Sequence, residues 1–171
     1  MQLRPMVSSE ARELLTVVSA SRAELGRFMG WPRDLVDSEQ ARRFIKLSRD
    51  GWLLSRTVRL GVYERATGAL TGNIELDGID ARRGQAELGY WIRTDRCGRG
   101  YAVEAARAML RYAFEVLLLH KVRADVAVGN HASSRVLEKL GFAQEGVLRE
   151  DRPVGSAYVD HWRFGLLARE F

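Results

Sequence analysis

At 171 residues, with 46% hydrophobic and 29% charged side chains, the sequence has the make-up of one globular domain with ample length for a core. Its net charge of +5, from 27 basic and 22 acidic residues, suits an anionic partner, but the arginines are spread rather than blocked, which argues against a dedicated nucleic-acid surface. A single cysteine excludes an internal disulfide and fits a reducing cytoplasm; no apolar run reaches membrane-spanning length and the N-terminus lacks a signal-peptide pattern, so a cytoplasmic location is expected.

Leu3-Arg4-Pro5-Met6 reads as a short first strand, placed near a sheet edge by Pro5. Ser9 before Glu10–Leu15 signals a helix running to about Ser21, and a second helical piece follows from Ala23 to Met29. Ser38 is read as the cap of another helix that stops near Gly51. Val58, Leu60 and Val62 alternate with polar or aromatic neighbours, and Arg65–Gly68 turns this strand into a partner running from Ala69 to Leu76. Ala86 to Ile92 forms the next strand. Apolar residues from Ala102 to Leu118 then recur at helical spacing, and Val122 to Val128 alternate as a strand. Asn130 caps a helix that Gly141 ends. Two last strands, Phe142–Arg149 and Ala157–Leu166, are joined through Pro153–Ser156. The order β-α-α-β-β-β-α-β-α-β-β predicts an α+β domain over residues 1–171, with helices on both faces of a sheet.

Between the Ala86–Ile92 strand and the long helix lies Arg93-Thr94-Asp95-Arg96-Cys97-Gly98-Arg99-Gly100-Tyr101-Ala102. Unpaired N–H groups and the dipole at a helix start attract anions, glycines let a ligand approach the backbone, and Arg96 and Arg99 add charge. The turn therefore reads as a phosphate or pyrophosphate site, against the plainer alternative of a strand-to-helix turn with solvated arginines.

Cys97–Ala102 resembles the pyrophosphate loop of the GNAT superfamily of acyl-CoA-dependent N-acyltransferases, usually Gln/Arg-x-x-Gly-x-Gly/Ala. Gly100 and Ala102 match, and Cys97 stands where Gln or Arg is usual. Glu87–Ile92 resembles that family's fourth strand, Asn130–Phe142 the segment after its fifth, and Glu145–Arg149 the branch of RimJ/RimL-type ribosomal-protein N-terminal acetyltransferases. The resemblance implies a mostly antiparallel sheet with a splay between strands four and five, and acetyl-CoA as co-substrate. It implies that Trp91, Ile92 and Arg93 pair with the pantetheine arm, that Cys97, Gly98, Arg99, Gly100, Tyr101 and Ala102 hold the pyrophosphate, and that Asn130 and Ser133 flank the arm. The acceptor is expected to be a primary amine, first of all a protein or peptide N-terminus, with monomer and homodimer both open.

Amide transfer from a thioester needs alignment, a neutral amine, an oxyanion donor and a proton for the leaving thiolate. Glu87 is the candidate base, acting through water, and Ser133 the candidate acid; each has a structural alternative, a strand-surface carboxylate and a first-turn serine. Some relatives use a tyrosine where this chain has Leu137. Trp31 is expected to line the acceptor groove, although an aromatic beside helices is more often core; Tyr158 and Asp160 are further candidates for that groove, with strand-surface positions as the equal alternative. Cys97, near a helix N-terminus, raises the idea of a lowered thiol pKa and covalent chemistry, but a small turn-filling residue is the better account. No metal is required, and His120, His131 and His161 lack ligand-like spacing. The rival readings are an acyl-CoA-binding protein that has lost turnover, and an acetyltransferase for small-molecule amines.

Overall fold

The computed structural model describes residues 1–171. Seven strands form one sheet in the order β1-β2-β3-β4-β5-β7-β6. They are β1 (Gln2–Arg4), β2 (Val58–Tyr63), β3 (Leu70–Asp80), β4 (Gln85–Ile92), β5 (Lys121–Ala127), β6 (Ala143–Val154) and β7 (Ala157–Leu167). Every neighbouring pair is antiparallel except β4 and β5, which the long crossover helix between them forces to run parallel. The helices are α1 (Ala11–Leu25), α2 (Ser38–Leu53), α3 (Tyr101–Arg111) and α4 (His131–Lys139).

The two faces of the sheet have separate cores. Leu14, Val17 and Val18 of α1, with Ala41 and Ile45 of α2, pack on Tyr63, Leu70 and Trp91. On the other face Ala105, Ala106, Met109 and Leu110 of α3, with Leu137 of α4, cover Val62, Ile74, Leu88, Val122 and Leu166. Alternation along β4 produces this division, sending Ala86, Leu88 and Ile92 to one core and Trp91 to the other. No helix is long and apolar enough to cross a membrane.

Local corrections to the sequence reading have tertiary causes. The pieces expected to end at Ser21 and resume at Ala23 are one helix, α1. Ser21 is buried and spends its hydroxyl on the Thr94 N–H at 3.1 Å, so it need not break the helix. The cap of α2 is Asp37, whose carboxylate accepts from Glu39 N–H and Gln40 N–H, one residue before the Ser38 expected from sequence. That helix also runs through Gly51 to Leu53. After Arg111 the backbone of α3 widens into an i→i+5 turn over Tyr112–Val116, which ends the regular helix earlier than its apolar spacing implied.

Candidate active site

Pairing between β4 and β5 covers Gln85↔Lys121, Ala86↔Val122 and Glu87↔Arg123, then stops, although β4 continues to Ile92 and β5 to Ala127. Beyond Glu87 the strands fork. Arg93 N–H donates to Thr71 O on the β3 side at 2.8 Å. Backbone groups alternate edges along a strand, so Trp91 and Gly89 also address β3, while Leu88, Tyr90 and Ile92 turn theirs toward the gap. Unpaired backbone groups need partners. An extended, amide-bearing ligand laid in the fork supplies them as an added strand would. A cleft of about 510 Å³ lies at this gap, with walls drawn from both faces of the sheet.

On the α1–α2 side the cleft is lined by Trp31, Glu87, Trp91, Asp125 and Arg152. Trp31 stacks on Phe44 with ring centroids 5.9 Å apart and lies 5.7 Å from Trp91. Trp91 is 5% exposed, and its indole N–H has no partner within the protein. Glu87 Oε2 accepts from Arg123 at 3.3 Å and Oε1 from Arg152 at 2.7 Å. Asp125, with a side chain 1% exposed, takes a two-pronged bond from Arg163 at 2.9 and 2.8 Å and a third from Arg152 at 3.0 Å. Burial alone would push the Asp125 carboxyl up, but the Arg163 hydrogen bond and the charges of Arg163, Arg152 and Arg123 outweigh it and hold the group below the usual range. Arg152 reaches this cluster from β6, past β7 and β5, because β6 bulges between Leu148 and Arg152 and bends its tip over the cleft.

The opposite wall comes from β4 and the start of α4. Asn130 caps α4 by accepting from Ser133 N–H, which turns the Ser133 hydroxyl to the Tyr90 hydroxyl, 2.9 Å away. Tyr90 lies on the opposite face of β4 from Glu87, and burial, opposed by its bond to Ser133, leaves its phenol pushed up to about 12. Leu137, where some relatives carry a tyrosine, is fully buried in this wall and supplies no proton.

The glycine turn lies beyond the open end of β4. Gly98 and Gly100 have φ of +76° and +84°, and a Cβ built on either would meet no atom within 4 Å, leaving free space against the backbone at the start of α3. Arg93 pairs with Asp95 at 2.6 Å, Arg96 with Asp95 at 3.0 Å, and Arg99 is exposed. The turn therefore offers backbone donors, a helix start and an uncommitted cation, a set that fits a pyrophosphate. The Cys97 thiol tucks toward the carbonyl oxygens of Ile92 and Arg93 at 3.7 and 3.5 Å. Its partial burial, then Asp95, push its pKa up, opposite to the lowering that the helix start suggested.

Of the residues singled out from sequence, the structure gathers Trp31, Glu87, Trp91, Asn130 and Ser133 around one cleft. Gly98–Ala102 follow at the start of α3, with Tyr101 donating its hydroxyl to Glu64 at 2.9 Å. Arg93 is not brought to the fork by its backbone, since its N–H is bound to β3. Tyr158 is 66% exposed on the β6–β7 hairpin, outside the cleft walls, and Asp160 instead accepts from Glu150 N–H at 2.8 Å within that hairpin. Sequence reasoning missed Tyr90, Asp125 and Arg152. Asp125, an acid between Ala124 and Val126 in a strand, was the one with a visible signal.

Residues 1–143 match the family model described as an acetyltransferase (GNAT) domain. The chain belongs to the GNAT acetyltransferase family. As a GNAT acetyltransferase it is 32% identical over 135 residues to the uncharacterized N-acetyltransferase p20 of Bacillus licheniformis, covering 79% of this chain and 76% of that one. It is 39% identical over 104 residues to YdaF of Bacillus subtilis, whose name proposes a ribosomal N-acetyltransferase, covering 61% and 57% of the two chains. A spermidine N(1)-acetyltransferase of Vibrio cholerae is 33% identical over 110 residues, 64% of each chain. Among solved structures, an acetyltransferase 30% identical superposes with a TM-score of 0.92 over 99% of this chain and 93% of the other. RimL, a ribosomal L7/L12 α-N-protein acetyltransferase solved with coenzyme A, shares the fold at 19% identity and a TM-score of 0.89, covering 96% and 92%. The chain is thus an N-acetyltransferase, and the fork and glycine turn suit acetyl-CoA as the acetyl donor.

Proposed function

We propose that this GNAT acetyltransferase moves the acetyl group of acetyl-CoA directly to the α-amino group of a protein or peptide N-terminus, in a complex holding both substrates. The observation that carries the reading is the fork beyond Glu87↔Arg123. The cleft at the fork has walls from both faces of the sheet, which suits a thioester and an amine approaching from opposite sides. In this reading Gly98–Ala102 and Arg99 hold the pyrophosphate, Leu88, Tyr90 and Ile92 pair with the pantetheine amides, and Asn130 and Ser133 flank its thiol end.

Glu87 acts as the base through a water. Both of its oxygens already accept from arginines, so it draws on its remaining lone pairs. Ser133 supports the departing sulfur from the opposite wall. The acceptor chain lies along Trp31 and Trp91, where the buried and unpartnered Trp91 N–H suits a carbonyl oxygen such as that of the first peptide bond. Energetics favour the same acceptor. An α-amino group has a pKa of about 7.7–8.0 and lysine about 10.4, so producing the neutral nucleophile at pH 7 costs ~1–1.4 kcal/mol for the first and nearly 5 for the second. With one candidate base whose oxygens are both occupied, the smaller cost is the better match.

The test is a peptide with a free N-terminus and an internal lysine, incubated with acetyl-CoA, with the acetyl group located by mass spectrometry. Acetylation at the N-terminus supports the proposal and acetylation mainly at lysine overturns it. Turnover on free polyamines with no peptide modification selects the small-amine reading, which the spermidine acetyltransferase relative favours. Thermal stabilisation by CoA with no turnover on any amine selects a binding protein.

A further inference from the structure

We infer that Tyr90 is a positioning residue for the leaving thiolate: its hydroxyl backs the Ser133 hydroxyl, and together the two form a short donor chain that holds the coenzyme A sulfur as the C–S bond breaks. The inference rests on the proposed placement of the thioester in the fork, and it concerns a side chain that the reaction as described above leaves unused, Tyr90 entering it only through its backbone.

Tyr90 extends from β4 to the wall built by α4, with its hydroxyl 2.9 Å from Ser133 Oγ and 3.1 Å from Ser133 O. Both residues line the cleft. The phenol has one proton and two acceptors within reach. When that proton goes to Ser133 O, the serine proton is free to bond back to the phenol oxygen. When it goes to Ser133 Oγ, the serine proton is released toward the cleft. An anion in the cleft selects the second arrangement, because only then does an O–H point at it, and each bond of such a chain strengthens the next. Leu137 gives this wall no hydroxyl, so Tyr90 and Ser133 are the hydroxyl donors it has.

In the transfer step the amine nitrogen forms its bond to the carbonyl carbon, the C–S bond breaks, and its electron pair stays on sulfur. Ser133 donates its hydrogen bond to that sulfur and Tyr90 donates to Ser133 Oγ. Neither gives up its proton. Burial keeps the Tyr90 phenol protonated throughout the neutral range. The proton that finally converts thiolate to thiol is the one shed by the amine nitrogen, so the step balances without a further reactant.

The test needs no amine. Coenzyme A is bound to the wild-type chain, and the ultraviolet absorbance of its thiolate is followed against pH. A donor chain favours the thiolate, so the bound thiol should titrate below the thiol of free coenzyme A measured in the same buffer. Tyr90→Phe keeps the ring and its packing but removes the backing hydroxyl. It should raise the bound thiol's pKa by about half a unit to one unit, with calorimetric CoA affinity near neutral pH changed less than threefold. Ser133→Ala leaves the Asn130 cap intact, since that bond uses the backbone N–H, and should shift the pKa at least as far. The double variant should match Ser133→Ala, because Tyr90 acts only through the serine. A second readout uses the acetyl ester of selenocoenzyme A, whose selenolate leaves with little help. The rate loss of Tyr90→Phe with acetyl-CoA should largely vanish with it, whereas a packing defect would persist. If CoA binds but Tyr90→Phe leaves the thiol pKa at the wild-type value, the inference is overturned and the proposed function stands. If wild-type protein binds no CoA, both fall.

Discussion

Replacing Asp125 with asparagine tests whether the arginine cluster beside the fork holds the sheet together. The Asp125 side chain is 1% exposed and accepts three guanidinium bonds, two from Arg163 and one from Arg152. Asparagine keeps the volume and one acceptor oxygen but removes the charge. Breaking a fully buried pair costs about 3–5 kcal/mol, chiefly by stranding the partner charge. Here the partners are only partly covered, Arg163 at 34% and Arg152 at 46% side-chain exposure, so water relieves part of that penalty. We expect a loss of about 2–3 kcal/mol, which for a domain of this size lowers Tm by roughly 5–10 °C. The pH dependence gives the sharper check. The folded carboxyl lies below the unfolded value of about 3.9, so its contribution is fully present above that pH and is lost as pH falls through the folded pKa. Thermal unfolding of both proteins by circular dichroism, from pH 7 downward, should therefore show the gap between them closing in acid. A gap under about 2 °C at pH 7, or one that stays constant into acid, would refute the reasoning.

Gly100→Val should weaken CoA binding by tenfold or more, about 1.4 kcal/mol, since a branched side chain at φ +84° fills the space against the backbone; calorimetry on the folded variant reads it. Glu87→Gln should keep CoA affinity and lower the acetyl-transfer rate on the order of a hundredfold at neutral pH, with the loss shrinking at high pH where the amine is already neutral. An unchanged rate would remove Glu87 from the base role. Leu137→Ala empties a fully buried position and should cost about 2–5 kcal/mol in denaturant unfolding; a loss under about 1 kcal/mol would mean that the α4 wall collapses onto the space.

Much of this protein was legible in its sequence because the signals are local. Strand alternation, helical spacing, the Asn130 cap and the two glycines before α3 are set by residues within a few positions of one another, and they yielded the element order and the glycine turn that opens α3. Glu87 and Ser133 could be named as candidates because each belongs to a short motif. What the sequence did not contain was the meeting of distant segments. Nothing near Tyr90 says that its hydroxyl will find Ser133, 43 residues on, and nothing near Arg152 says that a bulged strand will carry it to Glu87, 65 residues back. The fork was expected only through the family resemblance. Residues 88–92 and 124–127 have ordinary strand patterns by themselves, and the end of β4–β5 pairing after three residue pairs is seen only in the tertiary structure, where the connection through α3 makes the two strands parallel neighbours.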